Sequence, residues 1–142
     1  MPADLETLGR AVKQVQYRHH RALDSRLAAV GTTLAQWDAL RAIDRNPGAS
    51  AHTLAVETFQ SDQSFGTLAN RLAARDLIKR RAGRGRRIEH RLTSAGRKVL
   101  QAGRPIAEGV FGASFAGLSE NERSTLLDLL LRILRGRELE AS

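Results

Sequence analysis

The chain has 142 residues, enough for one domain with a real core but not comfortably for two. It contains no cysteine, which excludes a disulfide framework, a thiolate zinc site and a thiol redox switch. The opening MPADLETLGR lacks a basic stretch followed by an apolar one, no segment is a continuous apolar run of membrane-spanning length, and the net charge is +8, so composition predicts a cytoplasmic protein with a polyanionic partner and no membrane contact.

Leu5 to Val30 reads as one long helix. Leu5, Leu8, Val12, Val15 and Ala22 form an apolar stripe with His19 filling its gap, and Leu23, Leu27 and Val30 continue it on a slightly rotated face. A helix of roughly 26 residues spans about 39 Å, longer than a small domain needs for its own core. The excess predicts packing against another subunit. Gly31 closes this helix, and Thr33-Leu34-Ala35-Gln36 has the capping-box spacing that opens a second one through Trp37, Leu40 and Ile43. Asn46-Pro47-Gly48 is a stop and turn, after which Ser50 can cap a short helix over Ala51 to Thr58. Ser61 offers the next cap, before a run with Phe65, Leu68 and Leu72 on one face and Gln63, Gly66, Thr67, Asn70 and Arg71 on the other.

From Leu77 the period shortens, and a basic turn (Arg84, Gly85, Arg86) separates two strand-like runs. Thr93 can cap a further helix that contains Gly96, Gly103, Pro105, Gly109 and Gly112; alone it would be weak, so neighbouring helices must hold it. Ser119-Glu120-Asn121-Glu122 is a second capping box, and it starts a last helix with Leu126, Leu127, Leu130, Ile133 and Leu134 on one face. Leu129 and Leu131 widen that face beyond one stripe, which again favours a partner chain over solvent. The fold class is mainly α with a small two-stranded β wing. A helix, a turn, a second helix and a basic hairpin make a winged helix-turn-helix, whose usual work is to place the second helix in the DNA major groove.

Where the charge sits supports this. Between Arg71 and Lys98 there are eleven basic residues (Arg71, Arg75, Lys79, Arg80, Arg81, Arg84, Arg86, Arg87, Arg91, Arg97, Lys98) against Asp76 and Glu89, so that segment carries +9 and the remainder −1. A solvated surface would mix the signs, whereas neutralisation of phosphates requires one sign. On the second helix, Gln63, Thr67 and Asn70 are candidates for base edges, and Ser61, Ser64 and Arg71 for phosphates. Arg86 at the hairpin tip is the candidate for minor-groove insertion, with Arg84 and Arg87 beside it. Gly66 lowers helix stability by about 1 kcal/mol relative to Ala; close approach of the helix backbone to DNA would account for it, and so would a packing contact.

His19 and His20 point about 100° apart on a helix, and His52 and His90 are isolated in sequence, so no metal or other cofactor is assigned. No nucleophile elbow, phosphate loop, HExxH or carboxylate cluster is present, which argues against an enzyme. The alternative to a sequence-specific regulator is an architectural or weakly specific DNA-binding protein without an effector. It would use the basic wing and leave the hydrogen-bonding face unexplained.

The succession TLAQWDALRAI (residues 33–43), LAVETFQSDQSFGTLANRLAARDLIKRR (54–81), RRIEHRLTSAG (86–96) and LSENERSTLLDLLLRIL (118–134) resembles the multiple antibiotic resistance regulator (MarR) family over nearly the whole chain. The resemblance implies a single MarR-type domain over residues 1–142, with a winged helix-turn-helix lobe at 32–93 and dimerisation helices at 5–30 and 94–135. It implies a homodimer that binds a pseudo-palindromic operator in double-stranded DNA, commonly as a repressor released by a small aromatic or anionic effector. By family position, Tyr17, His20 and Trp37 are the ligand-pocket candidates, and for Trp37 a place in the core is the stronger reading. The sequence departs from the family pattern twice: Asp76 stands where a glycine is usual after the recognition helix, and Arg84 where the wing usually has Asp. Asp tolerates a left-handed backbone, so the turn is expected to survive, while bracing of the wing by a carboxylate is lost.

Overall fold

A computed structural model describes residues 2–85 and 87–136. It consists of helices α1 (Leu5–Leu27), α2 (Leu34–Arg45), α3 (Ala51–Glu57) and α4 (Asp62–Ala74), strands β1 (Ile78–Ala82) and β2 (Ile88–Leu92), and helices α5 (Ser94–Ser114) and α6 (Glu120–Leu134). The long first helix tightens into a 3₁₀ turn over Ala28–Val30 and stops at Gly31, where φ is 77°. The strands form one antiparallel hairpin with Ile78 opposite Leu92 and Ala82 opposite Ile88. The architecture is a winged helix.

Local signals set most element boundaries. Thr33, Ser50, Ser61, Thr93 and Ser119 each accept a hydrogen bond from a backbone N–H of the following turn, which satisfies a donor the helix itself leaves open. Asp4 does the same for α1 through the N–H of Glu6. The capping box at Ser119 is complete, since Glu122 reaches back to the Ser119 N–H at 2.8 Å. The box expected at Thr33 is only half formed. Gln36 is drawn away by a tertiary partner, its Oε1 accepting from Arg75 at 2.8 Å and from Thr32 at 3.3 Å.

The core gathers Leu27, Leu40, Ile43, Leu54, Phe65, Leu72 and Leu100, one or two from each of α1 to α5. Trp37 links α2 to α5: its indole N–H donates to the Leu100 carbonyl at 3.1 Å, and a Cβ built on Gly103 would lie 2.2 Å from the indole nitrogen. The same two helices are joined at the surface by Asp44, which pairs with Arg97 at 2.9 Å and Arg104 at 3.5 Å. These contacts, with those to α1, hold the glycine-rich α5 in one helix through Pro105. Thr93 fastens the base of the hairpin: its hydroxyl donates to the Asp76 carbonyl at 2.6 Å, and its N–H donates to Leu77 at 3.1 Å. Asp76 takes φ of 59°, so the turn that glycine usually makes survives with Asp in place.

The two ends of the chain are different. No residue of α6 is buried, and it makes only marginal contact with its own chain. Ile133 and Leu134 are 68% and 77% exposed, and on α1 Leu5 is 82% exposed, with Leu8, Val12 and Val15 also open. No described helix is long and apolar enough to cross a membrane.

Two glycines in helices make opposite predictions. Gly103→Ala should destabilise the fold by about 1–3 kcal/mol or more, because the new methyl meets a ring fixed by its own hydrogen bond. Gly66→Ala should stabilise it by up to about 1 kcal/mol, since a Cβ there meets nothing within 4 Å. Urea denaturation followed by Trp37 fluorescence measures both.

Candidate nucleic-acid interface

The helix-turn-helix is built so that α4 buries one face and leaves the other to solvent. Phe65, Leu68, Ala69 and Leu72 are buried, while Ser61, Gln63, Ser64, Thr67, Asn70 and Arg71 are exposed together on the outer side. Ser61 Oγ accepts from the Ser64 N–H at 3.0 Å, and Thr67 donates to the Gln63 carbonyl at 3.2 Å, which leaves the Thr67 oxygen available as an acceptor. Gly66 has no neighbour that a methyl would touch, so packing within the chain does not account for it. Across the turn, His52 Nδ1 lies 2.9 Å from Asp62 Oδ1 and joins the start of α3 to the start of α4.

The wing lies beside this face, and its bases divide into two groups. Arg80 donates to Asn70 Oδ1 at 2.7 Å, tying β1 to α4. Arg87 donates to the Gly48 carbonyl at 3.0 Å, and Arg75 donates to Gln36 and, at 2.9 Å, to the Gly31 carbonyl. With Arg97 on Asp44, four of the basic residues between Arg71 and Lys98 therefore also make internal contacts. Arg71, Lys79, Arg81, Arg84, Arg91 and Lys98 donate no side-chain hydrogen bond among the described residues, and all are exposed. Arg86 lies outside the described residues.

The wing is braced without the family's Asp. The N–H of Gly83 donates to the Arg87 carbonyl at 2.8 Å across the turn. At the base, Ala49 forms a β-bridge with His90. His90 is 2% exposed, packs edge-on to Phe65, and donates to the Ala49 carbonyl from its backbone N–H at 3.2 Å and its Nδ1 at 3.0 Å. Sequence reading left His90 as an isolated histidine; only a pairing forty-one residues away gives it a role.

A second feature shares no residue with this face. A hollow of about 970 Å³ opens between α1, α2, the end of α3, α5 and α6. Trp37, Phe111, Phe115, Leu126 and Leu130 supply an apolar wall, and Asp38, Arg41, Arg45 and His20 a charged one. The Arg41 guanidinium sits 4.9 Å over the Trp37 ring and 3.6 Å from Asp38. Burial holds the Asp38 carboxyl above the usual carboxylate range, with Arg41, Arg45 and His20 pulling it back down. His19 shares a hydrogen bond of 2.6 Å with Ser114 and meets Phe111 and Phe115 edge-on, so it completes the stripe of α1. Of the three ligand candidates, His20 and Trp37 line this hollow. Tyr17 faces a separate surface depression along α1, beside Arg18, Arg21 and Arg26. Arg41, Asp38 and Phe59 were not singled out from sequence, because their convergence depends on how α2 and the turn after α3 come together.

A family model described as MarR family matches residues 30–88. None of the curated proteins compared with the chain matches it. Among solved structures, a probable transcriptional regulator from Pseudomonas aeruginosa is 31% identical, with a TM-score of 0.76, over 88% of this chain and 95% of that one. A MarR family transcriptional regulator from Silicibacter pomeroyi has a TM-score of 0.84 at 22% identity, over 98% and 96% of the two chains. A MarR family protein from Mycobacterium tuberculosis, solved in complex with DNA, has a TM-score of 0.74 at 20% identity, over 93% of this chain and 98% of that one. The same protein in complex with salicylic acid has a TM-score of 0.73 at 22% identity, over 93% and 97%. The winged helix seen here, the matched segment from Val30 to Ile88 and the near-complete overlap with the Pseudomonas regulator agree: the chain belongs to the MarR family of DNA-binding transcriptional regulators.

Proposed function

We propose that the protein is a sequence-specific transcriptional repressor that binds a pseudo-palindromic operator as a homodimer and leaves it when a small aromatic or anionic effector fills the hollow. The observation that carries the reading is the exposed hydrogen-bonding face of α4 beside a one-signed basic wing. In this reading Gln63, Thr67 and Asn70 face base edges, while Ser61, Ser64, Arg71, Arg84, Arg86 and Arg87 engage the backbone or the minor groove. Arg80 holds Asn70 in one orientation, which favours it as a fixed reader, and Arg87 spends one donor on the Gly48 carbonyl with others left for phosphate. The site is in the cytoplasm and the role is binding, not turnover.

The dimer is inferred from bare apolar surface. A single chain leaves Leu5 and Leu8 of α1 and Leu127, Leu129, Leu131, Ile133 and Leu134 of α6 in water, outside the hollow, and a second copy would cover them. Residues 5–30 and 94–135 are then the dimerisation elements and residues 32–93 the reading lobe. The effector reading is supported by the hollow, whose apolar wall and Arg41 suit a flat ring carrying a negative group. The salicylic acid complex of the Mycobacterium tuberculosis protein supplies the first compound to try.

Sedimentation at micromolar concentration should give a dimer, and removal of the residues after Leu118 should give aggregate; a stable 15.6 kDa species would exclude the dimer. Operator DNA is obtained by sequencing duplexes that the protein retains from a random pool, and recovery of no common motif would favour the weakly specific alternative. On that operator, Gln63→Ala or Thr67→Ala should each cost about 1–3 kcal/mol, with little change on scrambled DNA. Arg84→Ala should weaken binding to both duplexes and flatten the log–log salt dependence by about one. If Arg84→Ala leaves affinity and salt slope unaltered, the tip of the wing does not touch DNA.

A further inference from the structure

The hollow touches the helix-turn-helix at one place. Among the described residues it reaches none of α4 and neither strand; beyond the α2 residues that line it, its contact with the α3–α4 pair is the end of α3 and the turn that follows, Glu57, Thr58 and Phe59. Phe59 is unusual there. The residue is 97% exposed, and its backbone sits at φ of 59°, a left-handed conformation that a bulky residue adopts at a cost and glycine adopts freely. The turn itself is closed by backbone hydrogen bonds, Phe59 N–H to Val56 at 3.2 Å and Gln60 N–H to Ala55 at 2.9 Å, and these need no side chain. A large apolar ring has thus been kept at a position that neither the backbone nor the core requires. Two residues later Ser61 caps α4, so movement of the turn displaces the first turn of the recognition helix.

We propose that Phe59 is the positioning residue through which an occupant of the hollow moves α4. The proposal rests on the effector reading above and assigns its transmission. In the chain as described the ring is exposed; with an aromatic compound in the hollow beside the turn, the ring closes on it. Burial of the ring draws the turn toward α1 and α6, and α4 follows. This contact exists only in the occupied state, which is what coupling between two sites requires, since a ligand that contacts both states equally shifts nothing. The ion pair of Arg45 with Glu57, at 3.4 Å, keeps the end of α3 beside α2 while the turn beyond it swings.

The test uses the full chain, its selected operator duplex and sodium salicylate. Trp37 is the single tryptophan and lines the hollow, so its fluorescence reports occupancy with no DNA present. Operator Kd is measured with and without saturating salicylate for the parent, Phe59→Gly and Phe59→Tyr, and the ratio of the two Kd values is compared so that any change in basal affinity cancels. In the parent the ratio is expected at about 10–100. In Phe59→Gly the Trp37 response should persist while the ratio falls to within about twofold of one, and Phe59→Tyr should recover most of the parent ratio. Because Phe59→Gly removes an exposed ring from a positive φ, its melting temperature should equal or exceed the parent's. A parent-like ratio in Phe59→Gly overturns the proposal alone. Loss of the Trp37 response together with the ratio overturns it too, since the ring would then only hold the ligand. Absence of a Trp37 response or of a ratio change in the parent removes the effector reading and this proposal together.

Discussion

The hydrogen bond from the Trp37 indole to the Leu100 carbonyl is the constraint on which the arrangement of the two halves depends. It fixes a large ring flat against the backbone of α5, at a site where only glycine leaves room, and so sets the separation of α2 and α5. That separation decides two things at once. It places the ring in the same core cluster as Leu40, Ile43 and Leu100, and it brings the edge of the ring to the lining of the hollow, with the Arg41 guanidinium over its face. The residue that joins the reading lobe to the long helices is therefore also a residue that an occupant would touch.

Charge follows the same economy of placement. The basic cluster between Arg71 and Lys98 serves two purposes. Arg75, Arg80, Arg87 and Arg97 stitch the lobe together through carbonyl, amide and carboxylate acceptors, while other bases project outward. Arginine suits the double task, because its fork carries several donors and stays charged while one of them is engaged. A phosphate on the remaining donors would meet a side chain already held in place, which lowers the ordering cost of the contact.

The elements and their order were legible because they rest on short-range rules. Apolar spacing placed α1, α2, α4 and α6, and the side-chain oxygens of Ser50, Ser61, Thr93 and Ser119 set their boundaries or those of their neighbours. The exposed face of α4 was legible for the same reason. What was hidden depends on residues brought together from far apart. Gln36 has the spacing of a capping residue but is taken by Arg75, thirty-nine residues on. Asn70 reads as a free amide until Arg80 is placed against it, and Tyr17 shares a helix with His20 but faces away from the hollow. Phe59 carries no signal at all, since an apolar residue at the end of an amphipathic helix is ordinarily buried.

The bridge between Ala49 and His90 has a kinematic consequence. Because His90 donates twice to the Ala49 carbonyl and Gly48 donates to the His90 carbonyl, the turn between α2 and α3 acts as a third strand at the base of the hairpin. Arg87 and Arg80 add tethers to the same turn and to α4. The base of the wing has no hinge of its own: any displacement of the helices carries it along, in the manner of a key whose teeth are cut from one blank. A shape change that reaches the wing is then carried by the helices to which its base is tied, and the hairpin follows α4 and the turn between α2 and α3 together.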